Sequence, residues 1–191
     1  MERRTVLASA ATAAAGGLSG CLAPVLDNPL PRRLSVMGTD APRLRLDAEL
    51  LDPLVTVDQT ASLRITWTNP LSEEIGIGST YLPVSETDEA HGTELVLAEP
   101  SYDFAGQTWA GCWKLTEMGG PAGGGPDAYL GPDESLSIEY DVWTAPDEDE
   151  CFPLGEYQFG VFESGYFGSR EQEERGWPVP SWKLTLAVED A

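Results

Sequence analysis

The sequence predicts an all-β fold, an antiparallel β-sandwich of seven to eight strands. Apolar and polar residues alternate with a period of two in one short segment after another, which is typical of strands with one buried face and one wet face. Clusters of Gly, Pro and Asp separate these segments and predict turns. No stretch after residue 21 keeps a helical period, so the pattern favours packed sheets.

Eight segments carry this pattern, and each predicts a short strand. Their apolar positions are, in chain order, Leu44, Leu46 and Ala48; Leu63, Ile65 and Trp67; Ile75 and Ile77; Leu95 and Leu97; Trp109 to Leu115 with Cys112 and Trp113; Leu136, Ile138, Tyr140 and Val142; Tyr157, Phe159 and Val161; and Trp182, Leu184, Leu186 and Val188.

The first 21 residues predict export and anchoring. Arg3 and Arg4 precede an apolar run, Ala8 to Leu18, that is shorter than the roughly twenty residues of a membrane-spanning helix. The arginine pair resembles a twin-arginine (Tat) export signal. Leu18-Ser19-Gly20-Cys21 resembles a lipoprotein lipobox, which implies cleavage before Cys21 and lipid on its sulfur. The alternatives are an ordinary cleaved signal with an incidental cysteine, or a short core helix.

Three regions follow from this pattern: a signal peptide over 1–20, a lipidated Cys21 with a flexible tether over 21–42, and a β-sandwich over 43–191. The tether prediction rests on prolines at 24, 29, 31 and 42. Fully extended, the tether reaches roughly 65 Å. Arg32-Arg33 within it is either a solvated pair or a contact with anionic lipid headgroups.

The chain is strongly acidic. It has 32 Asp and Glu against 11 Lys and Arg, for a net charge of −21. This charge argues against nucleic acid as a partner, because phosphates would be repelled. The acid excess, with only two lysines, resembles the proteins of extreme halophiles, and together with the export signal it suggests a haloarchaeal lipoprotein. The alternative is an acidic site for calcium or a cationic partner.

The cysteine count predicts one disulfide. With Cys21 lipidated, Cys112 and Cys151 remain, and an even pair outside the cytoplasm is typical of a disulfide. Two free buried thiols are the alternative. Zinc is poorly supported because no CxxC spacing exists and His91 is the only histidine.

The sequence contains few of the residue patterns that are typical of catalytic sites. His91 lies in a polar turn and no G-x-S-x-G is present, which argues against a nucleophilic triad. One histidine cannot build a cupredoxin-type copper site. We therefore expect a non-enzymatic protein without metal or cofactor, with a hydrolase built on scattered carboxylates as the remaining alternative.

Three motifs resemble extracytoplasmic immunoglobulin-like or fibronectin-III-like modules: Ala61 to Pro70, Leu130 to Leu136 and Gly155 to Phe159. The resemblance covers roughly 43–190. It implies an immunoglobulin-like sandwich with Tyr157 as the tyrosine of a tyrosine corner, its hydroxyl bonded to backbone upstream. The chain departs from the antibody pattern because Cys151 precedes this tyrosine. The bridge would then tie Cys112 to the loop before the tyrosine strand.

Three loops are candidate interaction sites. Gly119 to Pro126 is glycine-rich and predicts a flexible loop, although it could cradle an anion. Asp147 to Glu150 is four acids in a row and predicts a solvated loop, with a cation site as the alternative. Glu163 to Pro180 either contacts a partner or folds back as a lid on the sandwich. Its aromatic residues are Tyr166, Phe167 and Trp177.

These features predict a lipid-anchored module on the extracytoplasmic face of the cell membrane. Its expected role is binding, with an envelope protein as the partner and the lipid on Cys21 as the membrane contact. The alternative is a protease-inhibitor-like or accessory subunit of an envelope complex that uses the 163–180 loop.

Overall fold

The structure is a computed structural model that describes residues 31–78, 83–86, 94–103, 105–109, 111–118, 128–161 and 181–191. The predicted signal peptide, lipobox and first part of the tether lie outside these residues. So do His91 and the loops 119–126 and 163–180.

The described residues contain thirteen strands and no helix, which confirms the all-β prediction. The strands are β1 (Arg32–Asp40), β2 (Arg45–Asp52), β3 (Leu54–Val55), β4 (Ser62–Thr68), β5 (Ile75–Ile77), β6 (Ser85–Glu86), β7 (Leu95–Ala98), β8 (Ala105–Trp109), β9 (Cys112–Leu115), β10 (Ala128–Leu130), β11 (Ser135–Thr144), β12 (Gly155–Val161) and β13 (Trp182–Asp190).

These strands form two main sheets and one small one. The first sheet has the order β3-β1-β13-β12-β6, and all its pairings are antiparallel. The second has the order β2-β4-β11-β9-β8, and β7 also pairs with β11. Its contact between β9 and β11 is parallel. β5 and β10 form a separate antiparallel pair.

The core lies where the inner faces of the strands meet. In β4 the side chains of Leu63, Ile65 and Trp67 are fully buried, and the polar residues between them remain partly exposed. Trp67 meets Trp182 of β13 edge to face, with 5.4 Å between ring centroids. The period of two therefore places apolar side chains inward, as the sequence predicts.

The first strand differs from the prediction. Residues 32–40 are assigned to the flexible tether from the sequence, but they form β1, which pairs with β13 from Arg32↔Asp190 to Asp40↔Lys183. Leu34 is buried in the core. The physical reason is local: Pro31 and Pro42 flank this segment and do not interrupt its hydrogen bonds.

A second, smaller apolar cluster covers the other face of β7. All four residues of this strand are buried, because Leu95 and Leu97 enter the main core while Val96 and Ala98 pack with Trp143. Trp143 also meets Trp113 edge to face, with centroids 5.9 Å apart. A strand buried on both faces has no alternation, which explains why the sequence shows only a weak signal here.

Candidate functional site

The disulfide joins Cys112 of β9 to Cys151, in the segment before β12. The two Cα atoms are 5.7 Å apart, and 39 residues separate the cysteines in sequence. This confirms the predicted bridge and its attachment to the loop before the tyrosine strand. The bridge links the second sheet to the segment that enters the first sheet.

The next residue, Phe152, connects the same segment to the start of β1. Its side chain is fully buried and its backbone has a φ of 48°, which is uncommon for a residue with a side chain. The carbonyl of Phe152 accepts a hydrogen bond from Nε of Arg32 over 3.3 Å. Arg32 also forms an ion pair with Asp190, the last residue of β13. These contacts provide acceptors for Nε and one terminal nitrogen of an arginine whose side chain is only 6% exposed.

Pro153 completes this junction. Its carbonyl accepts a hydrogen bond from the hydroxyl of Tyr157 over 2.9 Å, in a buried position. This is the upstream backbone bond that the tyrosine-corner resemblance implies. Cys151, Phe152 and Pro153 therefore hold three different strands, β9, β1 and β12, at the end of the sandwich where the chain enters from the N-terminal side.

The acidic run Asp147 to Glu150 lies in the same connecting segment. Three of its four side chains are exposed, and Nζ of Lys114 donates to the backbone carbonyl of Glu148. Within the described ranges, no three His, Cys, Asp or Glu side chains are grouped as metal ligands. Exposed carboxylates without such grouping fit a solvated turn.

The opposite end is closed by Asn69. Its side chain is fully buried, and its amide nitrogen donates to the carbonyls of Glu73, Leu130 and Gly131 at 2.7, 3.0 and 3.1 Å. Its side-chain oxygen accepts from the Leu71 amide over 2.9 Å. One side chain thus holds the turn after β4 against the turn before β11.

The outer face of β2, β4 and β11 is polar and hydrogen-bonded across strands. Arg64 of β4 donates to Glu49 over 2.9 Å and to Glu139 over 2.6 Å. The bond to Glu139 is the main cause that raises the Arg64 pKa above its ordinary value. Thr66 and Ser137 share a 2.8 Å hydroxyl contact beside this group.

Asp141 continues this face but has a different environment. It pairs with Ser62 of β4 and with Ala98 of β7. Burial raises the pKa of its carboxyl above the ordinary value, because desolvation disfavours the charged form. Glu49 and Glu139 thus place two carboxylates on the Arg64 guanidinium, and Asp141 lies further along the same strand as Glu139.

Among the residues that the structure describes, no strand pairs with one edge of β11 along about half its length. β7 pairs with β11 only from Asp141 to Thr144. Beyond Ala98 the chain reaches Pro100 and turns, with the Tyr102 amide bonded to the Glu99 carbonyl. No strand among the described residues continues this pairing alongside Ser135 to Glu139.

The predicted site residues form three groups, of which the structure describes one. The disulfide partners Cys112 and Cys151 are joined. Lipidation at Cys21, with the export arginines Arg3 and Arg4 and the lipobox Leu18-Ser19-Gly20, lies outside the described residues. The same holds for the predicted binding residues of the 163–180 loop, namely Tyr166, Phe167 and Trp177.

Sequence reasoning missed the roles of Arg32 and Asn69 and the open edge of β11. For Arg32 a signal existed, because Leu34 and Val36 continue the period of two on either side of Ser35. For Asn69 the Asn-Pro turn was visible but its partners, up to 62 residues away, were not.

Comparison with protein-family models, with curated proteins and with solved structures gives no match. Within the described part of the chain, no helix has the length and apolar character needed to cross a membrane.

Proposed function

We propose that this protein is a lipid-anchored, extracytoplasmic module with an immunoglobulin-like sandwich and a non-enzymatic binding role. The disulfide is the observation that supports this most strongly. It uses both cysteines of the folded domain and leaves Cys21, of the three in the chain, as the free thiol for lipid. Disulfides persist mainly in oxidising compartments, which supports export.

The tyrosine corner supports the immunoglobulin-like part of this proposal. The bond from Tyr157 to the Pro153 carbonyl and the two-sheet architecture are features that such modules share.

The position of β1 determines how the module would be oriented relative to a membrane. Arg32 begins β1 eleven residues after Cys21, a separation that spans roughly 36 Å if extended. The end of the sandwich with Arg32 and Asp190 would therefore face the membrane. Val161 and Trp182, which flank the predicted 163–180 binding loop, pair at the opposite end of β13, roughly 27 Å away along the strand.

The anchor can be tested by mass spectrometry of the protein extracted from the membrane fraction of cells that express the full chain. We expect a chain that starts at Cys21 with lipid mass added, and a gain of two hydrogens on reduction. A Cys21→Ser chain should leave the membrane fraction, whereas a Cys112→Ser chain should remain there. An unmodified soluble chain would contradict the anchor.

The binding role needs its own experiment. Cross-linking in intact cells, followed by purification of the chain, should recover one envelope protein repeatedly. Replacing Tyr166, Phe167 and Trp177 together with alanine should abolish recovery if the 163–180 loop makes the contact. Tyr129→Ala is the matched control, since this aromatic is 46% exposed on β10. Recovery at background level with the unaltered chain would contradict the binding role.

The inhibitor or accessory-subunit alternative rests on the same placement of the loop ends away from the Arg32 end. It differs in its readout, because inhibition of an envelope protease by the purified chain would be lost in the triple alanine variant. Inhibition that the triple variant retains would remove the loop from this alternative.

A further inference from the structure

The open edge of β11 presents unpaired backbone groups in a known direction. The Val142 amide donates to Ala61, so even-numbered residues of β11 direct their N–H and C=O groups toward β4. The Ala145 amide donates to Glu94, so odd-numbered residues point to the other side, where β7 lies. Pairing with β4 is continuous from Ser135 to Asp141, which keeps this alternation along the strand.

The groups that point to the open side belong to Ser135, Ser137 and Glu139. No described residue donates to or accepts from their backbone groups on this side. The edge from Ser135 to Glu139 is about 14 Å long at 3.4 Å per residue. An unpaired edge of this kind is a template for strand addition.

The inner face of the same segment is incompletely covered. Where β7 lies beside β11, Val142 is fully buried. Where β7 is absent, the inward-facing Leu136 and Ile138 pack against the core but remain partly exposed. The opposite residues of β4, Ile65 and Trp67, are fully buried, so exposure follows the open edge and not the whole sheet.

The outer face of this segment carries two hydroxyls, of Ser135 and Ser137, and the carboxylate of Glu139. Glu139 shares the single guanidinium of Arg64 with Glu49, which leaves one carboxylate charge in excess, and the chain as a whole carries a net charge of −21. A strand added here would therefore gain from basic side chains on its outer face and apolar side chains on its inner face.

We propose that the β11 edge from Ser135 to Glu139 binds an extended segment of a partner protein that alternates basic and apolar residues. This deepens the proposed binding role by naming its surface and partner class. The free edge of β2 is a poorer template, because Thr39 already donates to the Leu46 carbonyl there and a bulge follows Leu50. A second copy of the chain is disfavoured by a net charge of −21 on each copy.

The test uses the full chain and a blocked peptide of alternating lysine and valine, long enough to span the edge. Fluorescence anisotropy of the labelled peptide, at a salt concentration where tryptophan fluorescence shows that the chain is folded, should show saturable binding that weakens as salt is raised further. A peptide of alternating glutamate and valine, and the basic peptide with its central valine replaced by proline, should not bind. Binding of the proline peptide with equal affinity would show charge attraction without strand pairing and would overturn the proposal.

Ser137→Pro is the decisive variant of the chain. It removes an N–H that points to the open edge and leaves the pairing with β4 intact, a position that tolerates proline in edge strands. We expect binding of the basic peptide to weaken about tenfold or more, since each lost backbone bond costs up to about 1.5 kcal/mol. Ser137→Ala keeps the N–H and loses only the hydroxyl contact with Thr66, so it should bind normally.

Ala48→Pro on β2 is the matched control for the other edge. It should leave peptide binding unchanged, because even-numbered residues of β2 point away from β4, as the Thr39 bond to Leu46 shows. Equal losses in Ala48→Pro and Ser137→Pro would overturn the assignment to β11.

Amide hydrogen exchange gives a readout that needs no variant. The bound basic peptide should slow exchange at Ser137 and Glu139 more than at Ala48. Unchanged exchange at Ser137 and Glu139, or self-association of the chain without peptide, would overturn the proposal. Peptide binding tests the β11 edge whether or not Cys21 carries lipid. A negative result in the peptide experiment is therefore distinguishable from a negative result in the mass-spectrometric test of the lipid anchor.

Discussion

Replacement of Arg32 tests how the first strand is held in the sandwich. The guanidinium donates to the Phe152 carbonyl and pairs with Asp190, and the side chain is almost entirely buried. Arg32→Ala removes both contacts. It leaves the carbonyl of a fully buried residue without its donor, at the point where β1, β13 and the disulfide segment meet.

The size of the effect follows from the two contacts separately. A buried acceptor that loses its donor costs about 1–3 kcal/mol, and the lost packing of the arginine stem adds to this. The ion pair contributes less, because the Asp190 side chain is 75% exposed and returns to water. We therefore expect the free energy of unfolding to fall by about 2–4 kcal/mol.

Urea unfolding at constant molar salt, followed by tryptophan fluorescence, measures this loss. Arg33→Ala is the matched control, because Arg33 is the exposed neighbour in the same strand, and we expect it to change stability by about 0.5 kcal/mol or less. Arg32→Lys keeps the charge but not Nε, and should lie between the two. Equal stability of Arg32→Ala and Arg33→Ala would refute the reasoning.

Four further predictions follow from the described contacts and the charge. Asn69→Ala should destabilise the domain by about 2–4 kcal/mol, since it leaves one buried and three partly buried backbone groups without their side-chain partner; thermal unfolding no different from wild type would contradict this. Tyr157→Phe should lower the free energy of unfolding by about 1–2 kcal/mol, because the Pro153 carbonyl loses its donor. Tyr129→Phe, which changes an exposed residue, should lower it less, and the melting temperatures of the two variants test this difference. Because burial raises the pKa of Asp141, the folded state favours the protonated carboxyl. The stability that this protonation contributes is fully present below 3.8, the ordinary pKa of the group, and is lost as pH rises through its raised pKa in the folded state. Asp141→Asn should therefore be more stable than wild type at neutral pH. A stability advantage that appears only in acid would contradict burial as the cause of the raised pKa. Finally, a net charge of −21 should make folding depend on molar salt, where the screening length falls to about 3 Å, and full stability in dilute buffer would contradict this.

The strands with a clean period of two were predictable, because burial of one face determines which residues alternate. β4, β11, β12 and β13 lie where the alternation of Leu63, Leu136, Tyr157 and Trp182 with polar neighbours indicates them. The disulfide was predictable from the cysteine count once Cys21 is assigned to lipid, and the bond from the Tyr157 hydroxyl to upstream backbone was predictable from the resemblance of a short motif beginning at Gly155.

What the sequence could not show depends on contacts between distant residues. β3 and β6 are two residues long and exist only because they pair with β1 and β12, so no local pattern marks them. β1 was obscured by its flanking prolines, and Arg32 is buried because Phe152 and Asp190, both over a hundred residues away, supply its partners.

The open edge of β11 could not be predicted for a related reason. An edge is open when a neighbouring strand stops, and the neighbour here is β7, which ends before Pro100 in a different part of the sequence. Leu136 and Ile138 alternate as cleanly as Tyr140 and Val142, so the pattern gives no sign that the first pair is less covered.

The placement of this edge bears on how an anchored module would use it. Ser135 pairs with Thr68, next to Asn69, at the end of the sandwich opposite Arg32. The edge from Ser135 to Glu139 therefore lies in the half of the domain away from the chain entry. If Cys21 holds the entry end near a membrane, a partner's extended segment reaches this edge without meeting the lipid surface. A lipidated chain on vesicles should then bind the basic peptide as well as the Cys21→Ser chain does in solution, and a loss of binding on vesicles would contradict this orientation.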